Sequence, residues 1–290
     1  LTNFAYLPGA GVGHAIMINS DAGAALREIS RLVRAWQTRD LPRPAVDDER
    51  PLSAGDRELA GYYQPINPRQ AMAYFIERIA GVQKIEVEGE RLTRAPVLGG
   101  EPTAYYPVGD FRFGHTETGR IALVRAEDPL AGSVIYAGTA VLEPVSGLRV
   151  FTQFGIAALW GALTLSAIAF FPVWGVRRLR GRIPPGPATR VRVWPLLAAA
   201  SVLAFLGLVR LGFEDPFGQL GAPTPVSVGI LLATVGFALF TLLGVHCAWG
   251  ARRVSMNRVA YWHSVAASLV NFVVMAYLLF NGVIGVMTWA

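Results

Sequence analysis

Cysteine and lysine each occur once in this 290-residue chain, as Cys247 and Lys84. A single cysteine excludes a disulfide framework and any Cys-rich zinc site. Charge is scarce as well. Asp, Glu, Lys and Arg make up 16% of the residues and apolar types 53%, against ~25% and ~45–50% in ordinary globular chains. With a mean hydropathy of +0.40, that balance argues against a wholly soluble protein. It also excludes intrinsic disorder, which needs low hydrophobicity and high charge. Basic charge is carried almost entirely by arginine, which reads as the coding bias of a GC-rich genome and not as mechanism.

The formal net charge of +6 and an isoelectric point near 9.8 invite a nucleic-acid partner. Their distribution argues against one. Residues 1–149 carry 16 Lys and Arg against 18 Asp and Glu, whereas residues 150–290 carry 10 against 2. A nucleic-acid binder needs a basic face on a folded domain, and the soluble-looking half is slightly acidic.

The second half contains four apolar stretches, Val150–Val176, Trp194–Phe213, Val226–Ala251 and Tyr261–Trp289. Each has about 20 residues or more, enough to cross a ~30 Å hydrocarbon core as a helix. Arg177, Arg178, Arg180, Arg182, Arg190 and Arg192 lie between the first two stretches, and Arg252, Arg253 and Arg258 between the last two. Glu214 and Asp215 occupy the loop between the second and third. The positive-inside rule therefore predicts a bundle with both arginine loops in the cytoplasm, and residues 1–149 and the C-terminus outside. Trp174, Trp194, Trp249, Trp262 and Trp289 fall near span ends, as an aromatic belt requires.

Polar groups inside the spans are few. Arg210 is expected to snorkel or to pair with Glu214 one turn on. His246 and His263 could ligate a haem as a pair, although hydrogen-bonded isolated histidines are the plainer expectation. Asn271 and Asn281 are expected to bond between helices. Broken helices and facing midplane charges, the marks of a transporter, are missing. The bundle reads as an anchor or interaction module.

The outer half divides at LPRPAVDDERPLS, residues 41–53, which has the composition of an extended linker. Its acids Asp47, Asp48 and Glu49 read as solvated, not metal-binding. Before it, residues 1–40 predict a hairpin from Asn3–Leu7 and Val12–Asn19, then a helix over 22–38 capped by Ser20 or Asp21. Leu26, Ile29, Val33 and Trp36 share the apolar side of that helix, with Leu32 beside them. Gly9-Ala10-Gly11-Val12-Gly13 precedes a strand instead of a helix, so it reads as a hairpin turn and not a phosphate loop. His14 reads as a packed or surface residue. Two strands and a helix bury too little surface to stand alone, and an outer domain ahead of the first span needs an export signal. The expectation is that this is the tail of a longer protein.

Residues 54–146 predict a small antiparallel sheet or partial barrel with one helix, at about Asn67–Ile79. The strand-like runs are Leu59–Tyr63, two turning at Glu88-Gly89-Glu90 within Val82–Leu92, Tyr105–Val108, Asp110–Gly114, Gly119–Arg125 and Ser133–Leu142. Tyr62, Tyr63, Tyr105, Tyr106 and Tyr136 could line a ligand site, or could simply be good strand residues.

The phrase Y-L-P-x-x-G-V-G followed by Asn, carried by Tyr6, Leu7, Pro8, Gly11, Val12, Gly13 and Asn19, resembles the closing hairpin of serine hydrolases of the class C β-lactamase and penicillin-binding-protein-like family. The helix over 22–38 then corresponds to the last helix of the catalytic domain. Leu59, Gly61 and Tyr63, with V-E-G-E-R-L at 87–92, are similar to the accessory β-domain appended to such hydrolases, some of which end in transmembrane helices. The resemblance implies a multi-domain membrane protein. Its parts are the C-terminal hairpin and helix of an α/β serine-hydrolase domain (1–40, incomplete), a linker (41–53), an antiparallel β-domain (54–146) and a four-helix transmembrane bundle (150–290). It implies a bacterial cytoplasmic-membrane location, an N-terminal catalytic partner domain, and acyl transfer on cell-wall peptides, β-lactams or small amides and esters.

The catalytic motifs of that family do not occur in these residues. Lys84 has Gly81 three places before it, so there is no Ser-x-x-Lys. No Tyr-x-Asn occurs, and none of His14, His115, His246 or His263 has glycine two places on. No Gly-x-Ser-x-Gly, Walker loop or His-Glu-x-x-His occurs either. No catalytic, cofactor or metal residue is assigned. The alternative expectation is a non-enzymatic β-domain held at the membrane as a binding module.

Overall fold

The computed structural model describes residues 1–20, 22–41, 48–68, 73–253 and 256–289. The chain forms two units, Leu1–Asp48 and Glu49–Ala290.

In the first unit β1 (Thr2–Leu7) pairs with β2 (Val12–Met17) in an antiparallel hairpin whose last pair is Leu7↔Val12. The turn is a 3-10 helix at Pro8–Ala10, closed by Gly11 at φ +62°, a conformation that disfavours any side chain. The glycine run is therefore hairpin geometry. α1 (Gly23–Gln37) follows. Ser20 makes no capping bond to it, and Asp21 lies outside the described residues.

The helix meets the hairpin along a different line from the one its apolar residues suggest. Leu26 and Ser30 are buried and Val33 and Gln37 half-buried, whereas Ile29 and Trp36 are exposed. Two strands are only about 10 Å across, so they cover one narrow stripe. Hydrogen bonds fix which stripe: Gln37 donates to the Gly13 carbonyl at 2.7 Å, and its Oε1 lies 2.9 Å from His14 Nδ1.

The second unit starts inside the expected linker. Residues 42–47 lie outside the described residues, but Arg50 N–H donates to Pro107 and Leu52 is buried in the barrel core. Ser53 forms a capping box with Asp56 to start α2 (Ala54–Arg57). Eight strands then close into an antiparallel barrel: β3 (Gly61–Pro65), β4 (Gln83–Glu88), β5 (Arg91–Pro96), β6 (Thr103–Gly109), β7 (Arg112–His115), β8 (Ile121–Asp128), β9 (Gly132–Ala137) and β10 (Ala140–Val145). Each strand pairs with the next, and β10 pairs back on β3. α3 (Tyr74–Ala80) lies between β3 and β4. It is shorter than the expected helix, of which residues 69–72 are not described.

Full closure corrects the expected sheet or partial barrel. Ser133–Leu142 is not one run but two strands, reversed at Gly138 (φ +63°). The extra strand is the one that seals the edge. Asn67 braces this turn from across the seam, donating to the Thr139 carbonyl and accepting from Val141 N–H, both at 2.7 Å.

Four long helices follow: α4 (Gly147–Leu179), α5 (Pro187–Glu214), α7 (Pro225–Gly250) and α8 (Arg258–Phe280), with the short α6 (Pro216–Leu220) between α5 and α7. All four are long and apolar enough to cross a membrane. The fourth ends at Phe280, not Trp289, because Asn281 caps it and the chain reverses through Gly282 (φ +70°) and Gly285 (φ +80°). The tail folds back, with Gly285 N–H donating to Thr234 and the Thr288 hydroxyl to the Leu220 carbonyl. Asn281 is thus a helix cap and not a bridge between helices. Asn271 is such a bridge, accepting from Trp160 Nε1 of α4 at 2.9 Å.

α5, α7 and α8 bury small residues against one another, among them Ala198, Ser201, Ala233, Gly244, Ala267 and Ser268. Lipid tails are as apolar as leucine, so close backbone approach, and not expulsion from solvent, holds such helices together. α4 is different: Val150 is its one buried residue. Its first turns pack beneath the barrel, where Tyr62 meets Phe151 edge-to-face at 5.6 Å and Gln64 donates to Gln153.

Candidate functional site

Of the two readings of the barrel tyrosines, a ligand site or strand packing, the structure favours packing, because the barrel interior is full. Tyr63, Ile85, Leu92, Tyr105, Phe113, Leu123, Ile135 and Leu142 supply one buried side chain from each strand. Leu52 and Leu59 join the same cluster. Eight strands enclose just enough room for side chains to fill. The tyrosines do not share a cavity. Tyr63 donates to the Leu59 carbonyl, and burial pushes its phenol above the usual range. Tyr106 lies over Gly114 and donates to the Gly119 carbonyl. Tyr136 is exposed and reaches Asp128. Lys84 pairs with Glu86 at 2.6 Å, which raises its amine.

The other singled-out residues have local partners. His14 lies between Gln37 and Asn3, whose amide oxygens are 2.9 and 3.1 Å from its ring nitrogens. Glu49 pairs with Arg91 at 3.2 Å; Asp47 lies outside the described residues. Arg210 is exposed on α5 and makes no ion pair with Glu214. Cys247 accepts from Trp194 Nε1 at 3.2 Å. Among the described residues no group of three or more His, Cys, Asp or Glu could hold a metal ion.

The histidines of the bundle are not a pair. His246 is exposed on α7, while His263 contacts Ser166 of α4 through Nε2 at 2.5 Å. A serine beside a histidine is the minimum of a nucleophile and its base. The third group that would orient such a base is missing: among the described residues no acid pairs with His263, and Ser166 Oγ also lies 3.1 Å from the Leu163 carbonyl of its own helix. The contact ties α4 to α8.

Two cavities open within the bundle. One, of about 380 Å³, is bounded by α3, α4, α5, α7 and α8 and is apolar throughout. Its few polar side chains are already engaged: Gln153 with Gln64, Ser201 with Leu197, Thr234 with Leu231, Trp160 with Asn271, and Tyr277 with the Phe75 carbonyl of α3. The second, of about 480 Å³, lies at the opposite, arginine-bearing end between α4, α5 and α8. Phe170, Val173 and Trp174 form its apolar wall, and Arg177, Arg182 and Arg192 line it together with His263.

Sequence reasoning assigned those arginines to topology alone. Their convergence depends on the turn at 180–186, whose buried Ile183 folds Arg182 back beneath α4 and α5. No local pattern announces it. No family model, curated protein or solved structure matches the chain.

Proposed function

We propose that this chain is the C-terminal, membrane-anchoring part of an extracytoplasmic serine hydrolase resembling the class C β-lactamase and penicillin-binding-protein-like family. In this proposal acyl transfer on cell-wall peptides, β-lactams or small amides and esters is carried by a domain N-terminal to these residues. The observation that carries it is the bare face of the hairpin. α1 covers the side bearing Asn3, Ala5, His14 and Ile16, whereas Phe4, Tyr6 and Met17 on the other side are 74%, 72% and 76% exposed. Leu32 and Trp36 are exposed on the free flank of α1. A two-stranded sheet with a helix on one face and bare aromatics on the other is the edge layer of a larger domain.

The barrel is the accessory domain and the bundle the anchor. The arginine loops lie in the cytoplasm of a bacterium and residues 1–149 outside it. Extending the coding sequence upstream tests the proposal: Ser-x-x-Lys and Tyr-x-Asn should appear within roughly 300 residues, the upper size of a single-core domain. The extended protein should be labelled covalently by a serine-directed acylating probe, and an open frame without both motifs overturns the reading. Sidedness is tested in a Cys247→Ser background, where single cysteines placed at exposed barrel positions should react with an impermeant maleimide on whole cells.

A second reading, a non-enzymatic binding module, draws support from the self-sufficiency of the closed, filled barrel. It predicts binding of the β-domain, taken as residues 49–146 so as to keep Leu52 and Ser53, to cell-wall or membrane material without any upstream domain.

A further inference from the structure

The cavity at the arginine-bearing end has a charge problem that the chain does not solve. Arg177, Arg182, Arg192 and His263 are the ionisable groups lining it, and every one is basic. The acids of residues 150–290 are Glu214 and Asp215. They sit at the far end of α5, where Glu214 is 22 residues beyond Arg192 and so about 33 Å away along the helix. Among the described residues none of the three arginines forms an ion pair. Arg192 gives one N–H to the Ala188 carbonyl at 2.6 Å. A guanidinium has five donors, so most of this donor capacity remains for a ligand.

Deeper in, the same cavity changes character. Phe170, Val173, Trp174 and Pro195 make an apolar wall that continues into the membrane-spanning part of α4 and α5. One space therefore offers guanidinium groups at its mouth and hydrocarbon contact behind them. The ligand that matches has an anionic head and an alkyl chain. Arginine forks suit phosphate oxygens in bidentate geometry, and basic pockets between transmembrane helices bind phospholipid head groups.

We propose that this cavity binds an anionic phospholipid of the surrounding leaflet, its phosphate held by Arg177, Arg182 and Arg192 and one acyl chain lying along Phe170, Val173 and Trp174. The proposal goes beyond the hydrolase reading and does not require it. It also separates two roles within one loop. Arg178, Arg180 and Arg190 do not line the cavity; they carry topological charge only.

That division supplies the test. The full chain in detergent is equilibrated with phosphatidylglycerol or phosphatidylcholine, and retained lipid is counted by native mass spectrometry. Wild type should keep one phosphatidylglycerol at least tenfold more strongly than phosphatidylcholine. Arg177→Gln/Arg182→Gln/Arg192→Gln should lose that preference, whereas Arg178→Gln/Arg180→Gln/Arg190→Gln, with the same net charge, should keep it. Equal loss in both variants means diffuse charge attraction and overturns the site. Displacement by millimolar inorganic phosphate means that the head group alone is recognised, and overturns the lipid assignment. A measurement on wild type guards against a misfolded variant: phosphatidylglycerol with a diazirine in its acyl chain should crosslink at Phe170, Val173 or Trp174 above the exposed Leu165 and Leu203. Uniform labelling would overturn the proposal.

Discussion

The barrel and the bundle are both apolar inside, yet they are built on opposite principles. The barrel places one large side chain from every strand on its axis, and its stability comes from removing that surface from water, at roughly 25 cal/mol per Å². The bundle buries mainly alanine, glycine, serine and threonine where α5, α7 and α8 meet, with Ile230, Phe237 and Met275 among them, and leaves most of its leucines outward. Its surroundings take the large residues, so its interior can be small. Leucine therefore has opposite places in the two regions: Leu92, Leu123 and Leu142 are the core of the barrel, whereas Leu165, Leu203 and Leu232 are exposed on the outside of the bundle.

The largest expected effect breaks the comparison on the barrel side. Phe113 is fully buried, and Phe113→Ala should cost ~3–5 kcal/mol. In urea titrations of the detergent-solubilised protein, amide-exchange protection of the barrel strands should vanish at lower denaturant while the helical signal of the bundle persists. Simultaneous loss of both would show one cooperative unit. On the bundle side, a Cβ at Gly244 lies 3.1 Å from Ser268 Oγ and 3.5 Å from Trp194 Cβ. Gly244→Leu should cost ~1–3 kcal/mol through overpacking, lowering the melting temperature in detergent. Gly161→Leu, with open space around it, should leave it unchanged.

A smaller effect is expected where the bundle uses polarity. Asn271→Leu removes the acceptor of Trp160 and should cost ~0.6–2 kcal/mol, read as easier dissociation of α4 by protease accessibility. The smallest concerns pH. The Leu52 N–H and then Arg57 hold the Glu90 carboxyl below its ordinary range; the Leu130 and Ala131 N–H groups do the same for Asp128. A depressed folded value means stability present above the unfolded carboxylate range, about 4, and lost as pH falls through the folded values. The urea midpoint of the barrel should therefore drop below pH ~4, with a shallower drop in Glu90→Gln, while bundle helicity holds over the same interval.

The four spans were legible because twenty apolar residues have few other solutions, and most barrel strands because turns at Gly89 and elsewhere punctuate them. The closing strand was not, since Tyr136 to Leu142 reads as continuous and only Gly138 marks the reversal. The contact face of α1 was misread because apolarity alone chose Ile29 and Trp36, whereas hydrogen bonds from Gln37 chose the neighbouring stripe. The end of the fourth helix was hidden because the tail, Val283 to Trp289, stays apolar while leaving the helix. The arginine cavity was invisible because it is assembled by a turn, and residues distant along the chain carry no shared period.

Ser146 caps α4 directly after the last barrel strand, and the helix runs 33 residues, about 50 Å, with Pro172 inside it. Ser146 is the one residue between strand and helix. Tyr62 against Phe151, Gln64 against Gln153 and the Tyr277 hydroxyl on Phe75 bolt the joint from three sides. Mechanically this is a mast and not a tether. The barrel keeps one heading relative to the first turns of α4, and a torque applied to either part is transmitted to the other through these contacts.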